Sequence, residues 1–163
     1  MNVGQVMTRT VYSCQSTDSL NRVAQIMWEN DCGCVPVEDA AGRAIAMITD
    51  RDICMAAYTR GLPLTQISVG SAASRTLHCV LESDSLTRAE LLMQRHRVRR
   101  LPVVDGDGRP VGILSMNDLA RRVRDLGSDV ELGPAAITRT LAFVCAPDRA
   151  HAPAGVANLE RSR

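Results

Sequence analysis

The sequence predicts a mixed α/β (α+β) fold made of two tandem β-α-β-β-α repeats packed with pseudo-two-fold symmetry, and three observations carry that prediction. The segment Ala46-Met47-Ile48-Thr49-Asp50-Arg51-Asp52 returns 66 residues later as Gly112-Ile113-Leu114-Ser115-Met116-Asn117-Asp118. The same offset, without a gap, makes 13 of the 48 pairs between residues 6–53 and 72–119 identical, which chance does not produce at constant register. Each repeat is only about 60 residues long, a size at which a lone fold buries little apolar surface, so the halves are expected to share an interface.

Residues 3–7 predict one helical turn and residues 11–14 a strand. Ser16-Thr17-Asp18 then supplies side chains able to accept from the free N–H groups of a helix start. Leu20, Val23, Ala24 and Met27 follow at i, i+3, i+4 and i+7, one apolar face of a helix ending near residues 30–33. Residues 34–38 read as a short strand, Asp39-Ala40-Ala41-Gly42 as a turn and residues 44–48 as a longer strand. A helix starts at Asp50 with Ile53, Ala56 and Ala57 inward, and stops before the linker Gly61-Leu62-Pro63.

The second half repeats this order. It has a turn near residues 65–69, a strand at 77–81, a helix at 85–96 with Leu86, Ala89 and Met93 inward, and a strand at 101–104. The turn Asp105-Gly106-Asp107-Gly108, a strand at 110–114 and a helix at 116–126 complete it. Beyond Gly127 the duplication ends. Gly133-Pro134 can open a helix over residues 135–145, and the Pro, Ala, Arg and Gly that follow read as a flexible tail. The expected organisation is repeat 1 over 1–62, repeat 2 over 63–126, a helical extension over 127–145 and a tail over 146–163.

Composition narrows the function. Aromatic residues are 2% of the chain, so the core must be aliphatic and base-stacking recognition of nucleic acid is disfavoured. Residues 1–66 carry 5 Arg and 7 acids, whereas residues 67–126 carry 10 Arg and 7 acids, which makes the second repeat the anion-friendly one. Four of those arginines lie in Arg95-His96-Arg97-Val98-Arg99-Arg100, and Arg99 and Arg100 enter a strand beside the repeated motif. No stretch suits a bilayer span or signal peptide, so a soluble cytoplasmic protein is expected, its six cysteines reduced. Cys32-Gly33-Cys34 lacks a second ligand pair, and repeat 2 has Val98 and Arg100 at those positions, which argues against a metal site. His78, His96 and His151 read as isolated, and with no glycine-rich phosphate loop an enzyme is the weakest class.

The repeated motif itself joins an apolar strand to a helix through a hydroxyl and a carboxylate three residues on. Thr49 with Asp52, and Ser115 with Asp118, stand where helix N-termini offer unpaired N–H groups and a positive dipole end, both suited to phosphate. The same spacing is also the signature of a cap in which both side chains only satisfy backbone donors.

With Val35-Pro36-Val37 and Leu101-Pro102-Val103-Val104-Asp105 preceding the two motifs, the repeat resembles a cystathionine β-synthase (CBS) domain and the pair a Bateman module. The likeness covers residues 3 to about 126 and is similar to small stand-alone bacterial CBS proteins. It implies a non-enzymatic sensor needing no cofactor, which binds AMP, ADP, ATP or S-adenosylmethionine between the repeats, forms a homodimer and regulates another protein. By the resemblance, Asp52 and Asp118 would hold the ribose and Thr49 and Ser115 would face phosphates. Val11, Val35, Leu77 and Leu101 would hold adenine, and Arg99 and Arg100 would bring positive charge to phosphates. Ala46, where the family has Gly, is expected to crowd the first cleft, and Asp50 to repel polyphosphate there, so the Ser115 and Asp118 cleft is the expected better site. Trp28, Met27 and Leu126 are the expected dimer contacts. The alternative is an interaction scaffold with vestigial clefts.

Overall fold

Two three-stranded sheets form, one per repeat, with matching order and register. In the computed structural model, which describes residues 1–126 and 133–146, repeat 1 runs β1 (Cys14–Gln15), α1 (Leu20–Glu29), β2 (Cys34–Glu38), β3 (Ala44–Thr49) and α2 (Asp50–Arg60). Repeat 2 runs β4 (Val80–Leu81), α3 (Leu86–His96), β5 (Arg100–Val104), β6 (Pro110–Ser115) and α4 (Met116–Leu126). In each sheet the first strand pairs parallel to the second and the second antiparallel to the third, Cys34 opposing Thr49 as Arg100 opposes Ser115. A last helix, α5 (Pro134–Val144), follows.

The local causes recur at the 66-residue offset. Ser19 and Ser85 cap α1 and α3, accepting from the N–H groups of Arg22 and Arg88. Asp39 Oδ1 accepts from Ala41 and Arg43 N–H, and Asp105 Oδ1 from Asp107 and Arg109 N–H, which closes the two hairpin turns. Those turns need a left-handed residue, supplied by Gly42 (φ 77°) and Gly108 (φ 82°). The backbone and guanidinium N–H groups of Arg43 hold the Asp39 carboxyl below its usual range.

The first strands are shorter than periodicity predicts. β1 and β4 are two residues each, and the segments before them, including Val11 and Leu77, are half-buried and outside any ladder. The chain there is committed elsewhere, because the lead-in of each repeat is exchanged. Residues 2–8 run to repeat 2, with bridges Asn2 to Ser85 and Thr8 to Ile113, and place Val3 and Met7 in its core. Residues 67–74 run to repeat 1: Ser19 bridges Ser68, Ser74 bonds Met47 through both backbone and hydroxyl, and Ile67 and Val69 are in its core. Neither aliphatic core is complete without the other half, which meets the small-domain shortfall expected from length.

Helix α5 packs on α3 and α4 through Ile137 and through Thr140, whose hydroxyl bonds the buried Glu90 carboxylate. Met27 is not a surface contact: at 7% exposure it belongs to the repeat 1 core, whereas Trp28 is outside. The 127–132 segment, the tail from residue 147 and the Leu126 side chain lie outside the described residues. Among the described residues, no helix is long and apolar enough to cross a membrane.

Candidate functional site

Each repeated motif folds into the same reciprocal cap. Strand β3 ends at Thr49 in extended conformation (φ −121°, ψ 163°), where its hydroxyl accepts from Asp52 N–H at 3.2 Å and donates to Asp52 Oδ2 at 2.7 Å. Asp52 Oδ2 also accepts from Thr49 N–H at 2.9 Å. At the end of β6 the bonds are the same: Asp118 N–H to Ser115 Oγ at 3.2 Å, Ser115 Oγ to Asp118 Oδ2 at 2.6 Å, and Ser115 N–H to Asp118 Oδ2 at 2.9 Å. The capping role is therefore real at both motifs, and one carboxylate oxygen of each Asp is consumed by it.

The other oxygen separates the two sites. Asp118 Oδ1 accepts from Arg121 at 2.7 Å, and the residue is buried at 8% exposure. Asp52 is half-buried, and among the described residues nothing bonds its Oδ1; the place of Arg121 is taken by Met55. Arg121 was not anticipated from the motif, although its i, i+3 spacing from Asp118 is that of a helix ion pair. With Arg121 63% exposed, that pair is worth only about 0.5–1 kcal/mol.

The other predicted residues divide. Val35 and Leu101 are fully buried in the two aliphatic cores, so only their backbone is available to a ligand. A strand flanked by a helix and by an exchanged lead-in turns these side chains inward, which periodicity alone does not distinguish from a cleft. Arg99 is exposed at the end of α3's following loop, its carbonyl accepting from Met116 N–H at 2.9 Å. Arg100 leaves its own repeat. Its guanidinium reaches the space beside Gly33, where a Cβ would stand 3.3 Å from Nη2 and 3.0 Å from Asp50 Oδ2.

That space is an open groove of about 490 Å³ lined by Met27, Trp28, Asp31, Cys32, Gly33, Asp50 and Arg100. It adjoins the first motif through Asp50, while neither Thr49 nor Asp52 lines it. Repeat 2 cannot form its equivalent, because Met116 stands in Asp50's position and is buried. Gly33 and Cys34 stand where repeat 2 has Arg99 and Arg100, a difference from which the sequence already predicts clefts of unequal anion affinity; that Gly33 leaves room for the other repeat's Arg100 is what the fold adds.

Ala46 does not crowd the segment that crosses it. A Cβ on Gly112 would meet Met7 Sδ at 2.7 Å and Thr8 O at 2.9 Å, whereas in repeat 1 Ala73 replaces Met7 and leaves room for the buried Ala46 methyl. His78 and His96 are not isolated either. The lead to β4 passes the C-terminus of α3, and their rings stack at 3.6 Å between centroids and 16° between planes. Burial and the neighbouring His96 lower the His78 pKa. His151 lies outside the described residues. Among the described residues no three His, Cys, Asp or Glu side chains are grouped to hold a metal.

A family model described as CBS domain matches residues 3–58 and 69–125. The chain belongs to the CBS domain family. This CBS pair is 31% identical over 118 residues to Hypoxic response protein 1 of Mycobacterium tuberculosis, spanning 72% of this chain and 82% of that one. The crystal structure of Hypoxic Response Protein I with two coordinated zinc ions is similar at TM-score 0.66 and 30% identity, over 75% of this chain and 98% of that chain. The CBS domain pair of protein MJ0100, in complex with 5-methylthioadenosine and S-adenosyl-L-methionine, has a TM-score of 0.69 at 21% identity, covering 77% and 97% of the two chains. CBSX2 in complex with AMP has a TM-score of 0.66 at 24% identity, again over 77% and 97%. At these last two identities the likeness is one of fold.

Proposed function

We propose that this CBS pair is a non-enzymatic, cytoplasmic regulatory module that binds an adenosine-containing ligand and signals through the geometry of a homodimer. The observation that carries the reading is the duplicated helix N-terminus with its hydroxyl and carboxylate, the first copy of which has Arg100 of the other repeat reaching the groove beside it. Similar pairs are named as complexes with AMP and with S-adenosyl-L-methionine, which supports the ligand class.

The ligand cleft we favour is that of repeat 1. Asp52 has an oxygen available for ribose hydroxyls, Thr49 and the α2 N-terminus suit one phosphate, and Arg100 brings a cation to the same side. Asp50 and Asp31 add two carboxylates nearby, which favours AMP or cationic S-adenosylmethionine over ATP. At repeat 2, ribose must displace Arg121 from Asp118. Ligand binding that stabilises one relative setting of the repeats is then read by a regulated protein.

Calorimetric titration of the full chain tests this. AMP is expected to bind more tightly than ATP, Asp52→Ala to weaken AMP about tenfold or more and Asp118→Ala to change it little. Arg121→Met should improve any binding at the second cleft about fivefold, the measure of the displaced ion pair. Absence of binding by AMP, ATP and S-adenosylmethionine to folded protein would turn the reading to an interaction scaffold. The completed caps at Asp52 and Asp118 are the observation favouring that alternative.

A further inference from the structure

We propose that the stacked rings of His78 and His96 form a proton-operated clamp: neutral, they hold the chain returning from repeat 1 against the end of α3, and charged together they release it. The clamp needs no ligand, so it stands apart from the proposed cleft. It sits where the two repeats are joined. Residues 67–74 pack on repeat 1 and β4 begins at Val80, so residues 75–79 are the span over which the chain changes repeats. His78 lies half-buried in that span, and His96 is the last residue of α3, which ends at a left-handed Arg97 (φ 53°).

The rings lie 3.6 Å apart between centroids and 16° from parallel. Rings stacked this way cannot share a metal, because a metal lies in the plane of an imidazole, about 2.0–2.1 Å from its nitrogen, and these planes run side by side. What the pair can take is protons, since histidine is the side chain whose charge ordinarily changes between pH 5 and 8. Among the described residues no carboxylate bonds or pairs with either ring to compensate a second charge. Arg95 and Arg97 flank His96, Arg99 and Arg100 follow it towards β5, and Arg75 precedes His78 by three residues. Asp84 is engaged, accepting from Leu81 N–H at 2.9 Å and pairing with Arg88 at 3.4 Å. The Cys79 thiol beside His78 is pushed up by burial and by Asp84, so it stays neutral over this range.

Burial, and then His96, lower the His78 pKa. The stacked state therefore disfavours the charged ring, and its stability is complete above the free histidine value of about 6.5 and falls as pH drops below it. Repeat 1 supplies the contrast. The residues 66 positions earlier are Tyr12 and Asn30, a phenol and an amide, neither of which gains charge on acidification. The turn after each helix is otherwise closed by the same bond, Val98 N–H to Met93 O and Cys32 N–H to Met27 O, both at 3.0 Å. Of two matched junctions, one carries the proton-sensitive pair.

Amide exchange of the full chain at pH 7.5 and 5.5, each rate divided by its intrinsic value, tests the clamp. Protection of Val98 N–H is expected to fall about tenfold at the lower pH, the limit for one histidine released from a depressed value to about 6.5, while Cys32 N–H holds. Nuclear magnetic resonance of the same protein should show the His78 ring titrating below pH 6.5, and titrating higher once His96→Asn removes its partner. The paired substitution His78→Tyr with His96→Asn copies repeat 1 and should make Val98 respond as Cys32 does. Equal falls at Val98 and Cys32 in the wild type, or a response that survives the paired substitution, overturn the proposal. A His78 titration indifferent to His96→Asn overturns it as well, because the rings would then not share their charge.

Discussion

Repeat 1 and repeat 2 are the same backbone carrying two different surfaces, and where they differ shows what each position is for. Three sets of side chain to main chain bonds have been kept: Asp18 and Asp84 accept from Gln15 and Leu81 N–H at 2.8 and 2.9 Å, and the Asp39/Asp105 turns and the Asp52/Asp118 caps bond the same main-chain N–H groups. Volumes, by contrast, have changed in compensating pairs. Gly112 accepts Met7 across it, whereas Ala46 is matched with Ala73. At the motifs themselves Asp118 is bonded by Arg121, while Asp52 has an unbonded oxygen, and the other repeat's Arg100 reaches the groove that adjoins the first motif through Asp50. A duplication thus preserved its frame through backbone bonding and left packing and charge to diverge, giving two capped motifs of which only the second has its remaining carboxylate oxygen bonded by an arginine.

The comparison can be broken first at the exchanged lead-ins. Val3 and Val69 are offset mates with no exposure, each in the core of the opposite repeat. Val3→Asp and Val69→Asp should each cost about 4 kcal/mol, an uncompensated buried charge. Amide exchange gives the direction: Val3→Asp should deprotect β5 before β2, and Val69→Asp β2 before β5. Loss of protection in the mutated residue's own repeat would contradict the exchange.

A smaller effect sharpens the compensating pairs. Gly112→Ala should destabilise by about 2 kcal/mol in urea unfolding, since Met7 Sδ and Thr8 O must give way, and Met7→Ala in that background should recover about half. Ala46→Gly should cost under about 1 kcal/mol, the backbone-entropy penalty alone. Equal costs at the two sites would mean that the crossing segments are not what separates them.

The smallest effect concerns thiols. Repeat 1 has Cys14 and Cys34 where repeat 2 has Val80 and Arg100, and burial pushes them up to about 12 and about 11. Iodoacetamide at pH 8 should modify exposed Cys54 and Cys145 and spare both. Because folding raises these pKa values, the stability they lend is full below the unfolded thiol value near ~8.5 and falls as pH climbs above it. A denaturation midpoint that drops between pH 8 and 10, and drops less in Cys14→Val, checks the sign.

The sequence by itself determined the duplication, the order of strands and helices, and the caps. These depend on local hydrogen bonding and on periodicity, which a chain carries in its own spacing: Ser19, Asp39, Thr49 and Asp52 each bond within a few residues. Helix α4 and the start of α5 were readable for the same reason. Only the tertiary structure decided where Val3 and Val69 pack, why Val35 and Leu101 face cores, that His78 meets His96, and that Arg100 leaves its repeat for Gly33. Those outcomes depend on contacts distant in sequence, and identical local periodicity is compatible with either partner. The difference between the two Asp residues lies outside the motif but within the same helix, since Arg121 stands three residues beyond Asp118 where repeat 1 has Met55.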